Sequence, residues 1–202
     1  MTLYHYPQSR SFRPRWLLEE LGVPYQVVRV DLPAGEHKRP EYLKINPNGA
    51  VPALVDGELV LFESAAICQY LADKVPEKRL VPALGTPARG LYYQWMHYAM
   101  AGLEPPILDI FMHTMRRAEA ERIPAVAEEA RTLLAARLDV MERALAGRTF
   151  ILGEEFSAAD VMLGSMLGWA RAMRILGDER PNVNAYVARL THRPAFRRAS
   201  AD

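Results

Sequence analysis

The sequence predicts a small α/β domain followed by an all-helical domain. Three observations predict it. Strand and helix patterns alternate up to about residue 75. A stretch rich in proline and glycine, PEKRLVPALGTPARG, then breaks all periodicity. Beyond it every sustained pattern is helical. The domains are therefore set at 1–77 and 89–202, with a linker at 78–88.

TLYHY, from Thr2, reads as a short strand with Tyr4 and Tyr6 on one face. SFRPRWLLEELG follows as a helix. Ser11 is its expected N-cap, Pro14 is tolerable in the first turn and Gly22 is the stop. Trp16, Leu17, Leu18 and Leu21 form its apolar side. YQVVRVDL, residues 25–32, is a β-branched run ended by Pro33-Ala34-Gly35. Residues 36–45 suggest a short irregular helix leading into the loop NPNG. A hairpin comes next: Ala53 to Val55, the turn Asp56-Gly57, and Leu59 to Phe62. SAAICQYLADKV closes the domain as a helix, with Ile67, Tyr70, Leu71 and Lys74 along one stripe. The predicted order is β-α-β-α-β-β-α.

In the second domain, residues 88–118 read as helical but carry Pro105-Pro106, which must kink or interrupt the helix. Residues 124–146 place Leu134, Leu138, Met141 and Leu145 on one face. Ser157 and Asp160 ahead of VMLGSML resemble a capping box with an acidic third residue. A last helix is expected at about 181–192.

Composition excludes several classes. Half of the 202 residues are hydrophobic, a quarter are charged and the net charge is +1. That balance gives no sign of a nucleic-acid partner. The N-terminus lacks the plan of a signal peptide, and the longest apolar run, from Val161, is far short of the roughly 20 residues that span a bilayer. The expectation is a soluble, cytoplasmic protein without membrane contact. The single cysteine, Cys68, excludes an internal disulfide framework and reads as a small buried hydrophobe. The five histidines show no metal-ligand spacing. His97 and His113, with Tyr93, Met96, Met100 and Met112, form a stripe that is mostly core.

Two features ask for an explanation beyond folding. Pro52 stands at the head of a strand, where its missing N–H confines it to starts, edges or bulges. Glu63-Ser64 opens a helix. Ser64 is placed to cap it, and a helix N-terminus offers free N–H groups and partial positive charge to a carboxylate.

Four segments in order carry a resemblance over essentially the whole chain: YHYPQSRSFRPRWLLEELGVPY, NPNGAVPAL, FESAAICQYLAD and FSAADVML. Together they resemble the cytosolic glutathione S-transferase superfamily, and the SRS-x-R loop is similar to that of its serine-rich-loop bacterial and fungal members. The resemblance implies a thioredoxin-like first domain that binds glutathione and an all-α second domain that contributes the site for the electrophile. Part of the Tyr93-Met96-Met100 stripe then faces that site. Pro52 is expected to be cis, turning the N–H and C=O of Val51 toward the cysteinyl backbone of glutathione as a strand pairs with a strand. The γ-glutamyl end falls to Glu63, for its ammonium, and to Ser64 with the helix N–H groups, for its carboxylate.

The resemblance also implies a hydroxyl beside the glutathione sulfur. A free thiol of pKa about 8.5 is only a few per cent thiolate at neutral pH, and lowering that pKa by about 2 units takes roughly 2.7 kcal/mol. The candidates are Ser9 and Ser11, with Arg10 and Gln8 as further donors. Ser9 is preferred, since Ser11 is engaged as the N-cap. One position departs from the family pattern. Ala50 stands where many members carry a lysine for the glycyl carboxylate, and Lys38, Arg39 or Lys44 must supply that cation. No cysteine lies in the first loop, which argues against the thiol-dependent branch and against an isomerase loop of the S-S-C type.

The expected function is a glutathione S-transferase that stabilises the glutathione thiolate for attack on apolar electrophiles, with glutathione peroxidase activity as a side reaction. The alternative is a glutathione-binding or non-catalytic interaction protein on the same fold. Glutathione is the co-substrate, no metal is expected, and the family habit implies a homodimer.

Overall fold

The computed structural model describes residues 1–201. The first unit opens with β1 (Thr2–His5), α1 (Phe12–Leu21) and β2 (Gln26–Arg29). The short helix α2 (Pro40–Leu43), the hairpin β3 (Ala53–Asp56) and β4 (Leu59–Phe62), and α3 (Ser64–Lys74) follow. The predicted β-α-β-α-β-β-α order is found.

The sheet runs β2-β1-β3-β4. β1 pairs parallel to β2 and antiparallel to β3, and β3 pairs antiparallel to β4. Strand alternation sorts the two faces. Leu3 and His5 share one face and are buried, as are Trp16, Leu17, Leu18 and Leu21 of α1 and Ile67 and Leu71 of α3. Tyr4 projects from the opposite face and meets Tyr42 of α2 edge to face at 5.7 Å, in a cluster with Val30 and Val51. Gly22, at φ 66°, ends α1 by donating its N–H to Leu18 O, as its position predicts.

The second unit holds α4 (Pro87–His97), α5 (Glu104–Phe111), α6 (Pro124–Ala144), α7 (Ala158–Ala172) and α8 (Pro181–Thr191). The interruption expected at Pro105-Pro106 takes a definite form. Residues Tyr98–Leu103 widen into a π-helical turn, and both prolines fall in the first turn of α5, where no intrahelical N–H bond is needed. Leu134, Leu138, Met141 and Leu145 are all buried, and Ser157 and Asp160 form the expected capping box of α7. Of the histidine-methionine stripe, Met96 and His113 are buried while His97 and Tyr93 are exposed.

One boundary differs from the sequence expectation. The chain divides into compact units between residues 81 and 82, within the expected linker, but the segment from His192 groups with the first unit instead of the second. That segment contains α9 (Pro194–Ala199), beyond the helix expected to be last. Phe196 explains its placement: its ring meets Trp16 at 4.9 Å and Phe12 at 5.2 Å. Arg193 adds a two-pronged bond to Glu20, at 2.6 and 2.8 Å, and Arg198 bonds Glu19 at 2.6 Å. Among the described residues, no helix is long and apolar enough to cross a membrane.

Candidate functional site

Sheet register gathers the singled-out segments at one end of the first unit. Tyr4 stands opposite Ala53, and Ala53 opposite Phe62. One residue further along each strand lie His5, Pro52 and Glu63. The loop after β1, the turn before β3 and the start of α3 therefore share one sheet edge. Two strand spacings separate the outer pair, about 10 Å, which is the reach of about three extended residues.

The Val51–Pro52 peptide bond is cis. Among the described residues, neither the sheet pairing nor the loop hydrogen bonds engage the N–H or C=O of Val51. The turn is held from behind by residues that sequence reasoning missed. Buried Asn46 donates through Nδ2 to Ala50 O at 2.7 Å and accepts the Asn48 N–H at 3.1 Å. Tyr42 donates its hydroxyl to the same Ala50 carbonyl at 2.7 Å. Burial and neighbouring Tyr4 push the Tyr42 phenol up to about 12, so it remains a donor. Gly49, at φ 56°, is a fixed requirement: a Cβ there would lie 2.8 Å from His37 O. Only the NPNG loop signal pointed to any of this.

Of the three cations weighed against Ala50, Lys38 lies at the turn. Its ammonium donates to Gly49 O at 3.1 Å and to Asn48 O at 3.4 Å. Arg39 pairs instead with Glu36 at 3.3 Å, and Lys44 is exposed.

At the start of α3, Glu63 occupies the N-cap with φ 72° and ψ 109°, a backbone region that favours glycine. Ser64 is not the cap expected from the sequence. It is the first helical residue, is buried, and accepts a 2.8 Å bond from Arg13 Nη1. Buried Arg13 demands an acceptor, and the Ser64 hydroxyl is within its reach, so the side chain turns inward toward α1. The first turn of α3 has no side-chain cap of its own.

Ser11 also departs from its expected job. It stands at the N-cap of α1, yet its side chain makes no capping bond. The buried hydroxyl lies 2.7 Å from His5 Nδ1 and 2.7 Å from Ser9 Oγ, and accepts the Tyr6 N–H at 3.1 Å. Ser9 is half-buried. Its hydroxyl donates to Tyr6 O at 2.7 Å and accepts the Ser11 N–H at 3.2 Å. Ser9 is thus the more accessible serine, for a reason other than the one the sequence suggested. Arg10 and Gln8 are exposed on the same loop, and Gln8 holds φ 56°. His5 was missed. Its signal was parity with Leu3, which points a polar ring at the α1 face. Burial, then the charge of Arg15, lowers its pKa to about 4, so the ring is neutral at physiological pH.

Cys68 is fully buried, and burial raises its pKa to about 12, which removes it as a thiolate nucleophile. Among the described residues, no group of three or more His, Cys, Asp or Glu side chains is assembled to hold a metal ion. A separate cavity of about 370 Å³ lies against β2 and α2 and includes none of Ser9, Val51, Glu63 and Ser64.

A mixed four-stranded sheet flanked by helices, with a cis-proline turn at its edge and a separate helical domain after it, defines the two-domain glutathione transferase class of fold. Comparison with known proteins agrees. The model of the glutathione S-transferase N-terminal domain matches residues 1–73, and that of the C-terminal domain matches residues 124–189. Glutathione S-transferase 3 of Zea mays is 35% identical, with 100% of this chain and 93% of that protein covered. The disulfide-bond oxidoreductase YfcG of Escherichia coli is 32% identical over 96% and 92%. A glutathione transferase family member from Pseudomonas fluorescens, solved with two glutathione bound, is 31% identical with TM-score 0.88, covering 98% of this chain and 91% of its own. The chain belongs to the glutathione S-transferase family.

Proposed function

We propose that this glutathione transferase holds glutathione along the sheet edge of its first unit and activates the thiol with Ser9. The carrying observation is the sheet register, which brings the loop that holds Ser9, the Val51–Pro52 turn and Glu63 to one end of the sheet, over a span that suits a tripeptide. The N–H and C=O of Val51 pair with the cysteinyl backbone. The γ-glutamyl carboxylate lies at the N-terminus of α3, and Glu63 takes the ammonium. Ser64 contributes its backbone N–H, since its hydroxyl already serves Arg13. Lys38, supported by its position on the NPNG turn, supplies the cation for the glycyl carboxylate.

Ser9 donates its hydroxyl to the sulfur, and the positive end of α1 lowers the thiol pKa further. The thiolate then attacks an apolar electrophile and displaces its leaving group, with no covalent bond to the protein. The same thiolate supports reduction of an organic hydroperoxide, in which two glutathione molecules become the disulfide as the hydroperoxide becomes an alcohol and water. The second domain supplies the electrophile site, and the working form is a cytoplasmic homodimer.

The test follows the ultraviolet absorbance of the bound thiolate against pH, with turnover of a chlorinated nitroaromatic. Ser9→Ala is expected to raise the thiol pKa by about 1.5–2 and to lower kcat/KM at neutral pH by 30-fold or more, on the order of 100-fold. An unchanged thiol pKa in Ser9→Ala would remove Ser9 from the mechanism.

A further inference from the structure

The hydrogen bonds around Ser11 have a direction, and Arg15 sets it. A guanidinium only donates. Arg15 Nη1 lies 3.1 Å from His5 Nε2, so Nε2 accepts. The neutral ring then carries its proton on Nδ1 and donates to Ser11 Oγ at 2.7 Å. The Tyr6 N–H donates to the same oxygen at 3.1 Å. Both lone pairs of the Ser11 hydroxyl are now occupied. Its own proton has two acceptors, Ser9 Oγ at 2.7 Å and Tyr6 O at 3.1 Å, and the shorter is Ser9. Ser9 Oγ also accepts the Ser11 N–H at 3.2 Å. Its lone pairs are filled in turn, and what Ser9 has left to offer is its proton.

We propose that His5 is a positioning residue which, held by Arg15 and acting through Ser11, fixes Ser9 as a hydrogen-bond donor toward the glutathione sulfur. The chain runs one way: Arg15 to His5, His5 to Ser11, Ser11 to Ser9, Ser9 to its acceptor. Each oxygen that accepts becomes a better donor, so the cation at one end sharpens the hydroxyl at the other. Tyr6 O takes the Ser9 proton in the free protein, and the thiolate takes it in the complex. Without His5, a lone pair of Ser11 is open to the Ser9 proton. Ser9 then turns its proton inward and an oxygen lone pair toward sulfur, which disfavours the thiolate. Burial and the charges of Arg15 of α1 and Arg29 of β2 together keep the ring neutral, so this polarity persists across the range in which the thiol titrates.

This inference rests on the assignment of Ser9 above, and the experiment separates the two. The bound thiol is titrated by thiolate absorbance in the wild type, Ser9→Ala, His5→Leu, His5→Asn and Arg15→Met. His5→Leu is expected to raise the thiol pKa by about one pH unit, about tenfold less thiolate at neutral pH, with glutathione affinity changed by no more than about twofold. kcat/KM falls about tenfold at neutral pH and recovers in alkali, where the thiol ionises unaided. His5→Asn places an amide N–H where Nδ1 stood and restores at least half of the shift. A wild-type thiol pKa in His5→Leu, or an Asn variant no better than Leu, overturns the proposal. If His5→Leu does not fold, Arg15→Met carries the test: it frees the tautomer and raises the thiol pKa, and an unmoved pKa overturns the proposal. An unmoved pKa in Ser9→Ala overturns the Ser9 assignment and this inference with it; movement there but not in the His5 or Arg15 variants overturns this inference alone.

Discussion

Glu63 holds a backbone conformation that costs a non-glycine residue about 1–3 kcal/mol. It is kept there by the hairpin on one side and by the Ile67 N–H, bonded to its carbonyl, on the other. The strain buys a carboxylate at the sheet edge beside the N-terminus of α3. Glu63→Gly separates the two effects. Relief of strain outweighs the added freedom of the unfolded chain, so urea unfolding should show stability unchanged or raised by up to about 1 kcal/mol. Calorimetry should show glutathione affinity reduced about tenfold or more, the loss of one charge-assisted contact. A destabilised variant that still binds fully would refute this account of Glu63. At this scale the sequence was only partly legible. The cis bond at Pro52 was legible from the Val51-Pro52 pair within its motif, and Ser9 and Glu63 were singled out because a hydroxyl and an acid are sparse in such positions. The inward turn of Ser11 and Ser64 was not visible. Each hydroxyl has a good local use as a cap, and each was claimed instead by a buried partner from another element, His5 and Arg13.

Elements were read more reliably than bonds, because hydrophobic period survives without knowledge of tertiary contacts. The stripes of α1, α3 and α6 and the hairpin all stand where alternation and turn residues put them. The capping box of α7 was legible too, but its reach was not. Asp160 is fully buried and accepts from Ser157 N–H and hydroxyl, both at 2.8 Å, from the Ile151 N–H at 2.9 Å and from Tyr186 at 2.7 Å. It ties the start of α7 to the preceding loop and to α8. Asp160→Ala should therefore cost more than a lost cap. It strands buried donors from three segments, and about 3–5 kcal/mol is expected by chemical denaturation. Ser157→Ala, which removes one hydroxyl, should cost about 1 kcal/mol. Equal losses in the two variants would show that Asp160 acts only as a cap.

At the scale of the whole chain, the last residues close the first unit. The sequence offered little warning: PAFRRA is six residues of helix with two basic side chains, too short for a period, and proximity along the chain assigned it to the helical domain. Its partners are on α1, more than 170 residues earlier, where Phe196 faces Trp16 and Phe12, and Arg193 forks onto Glu20. The tail thus braces the helix whose N-terminal loop carries Ser9 and Ser11. Phe196→Ala should cost the first unit about 2 kcal/mol, the lower side for an aromatic because Phe196 is only half-buried. Trp16 is the tryptophan of that unit, so replacing Trp95 and Trp169 by Phe makes its fluorescence report on this unit. In that background Phe196→Ala should move the Trp16 transition to lower urea and weaken glutathione-dependent protection of it. Arg193→Ala should do the same to a lesser degree, since a partly exposed ion pair contributes less than a ring in contact with two others. A Trp16 transition that stays in place when Phe196 is removed would mean that the tail rests on α1 without supporting it.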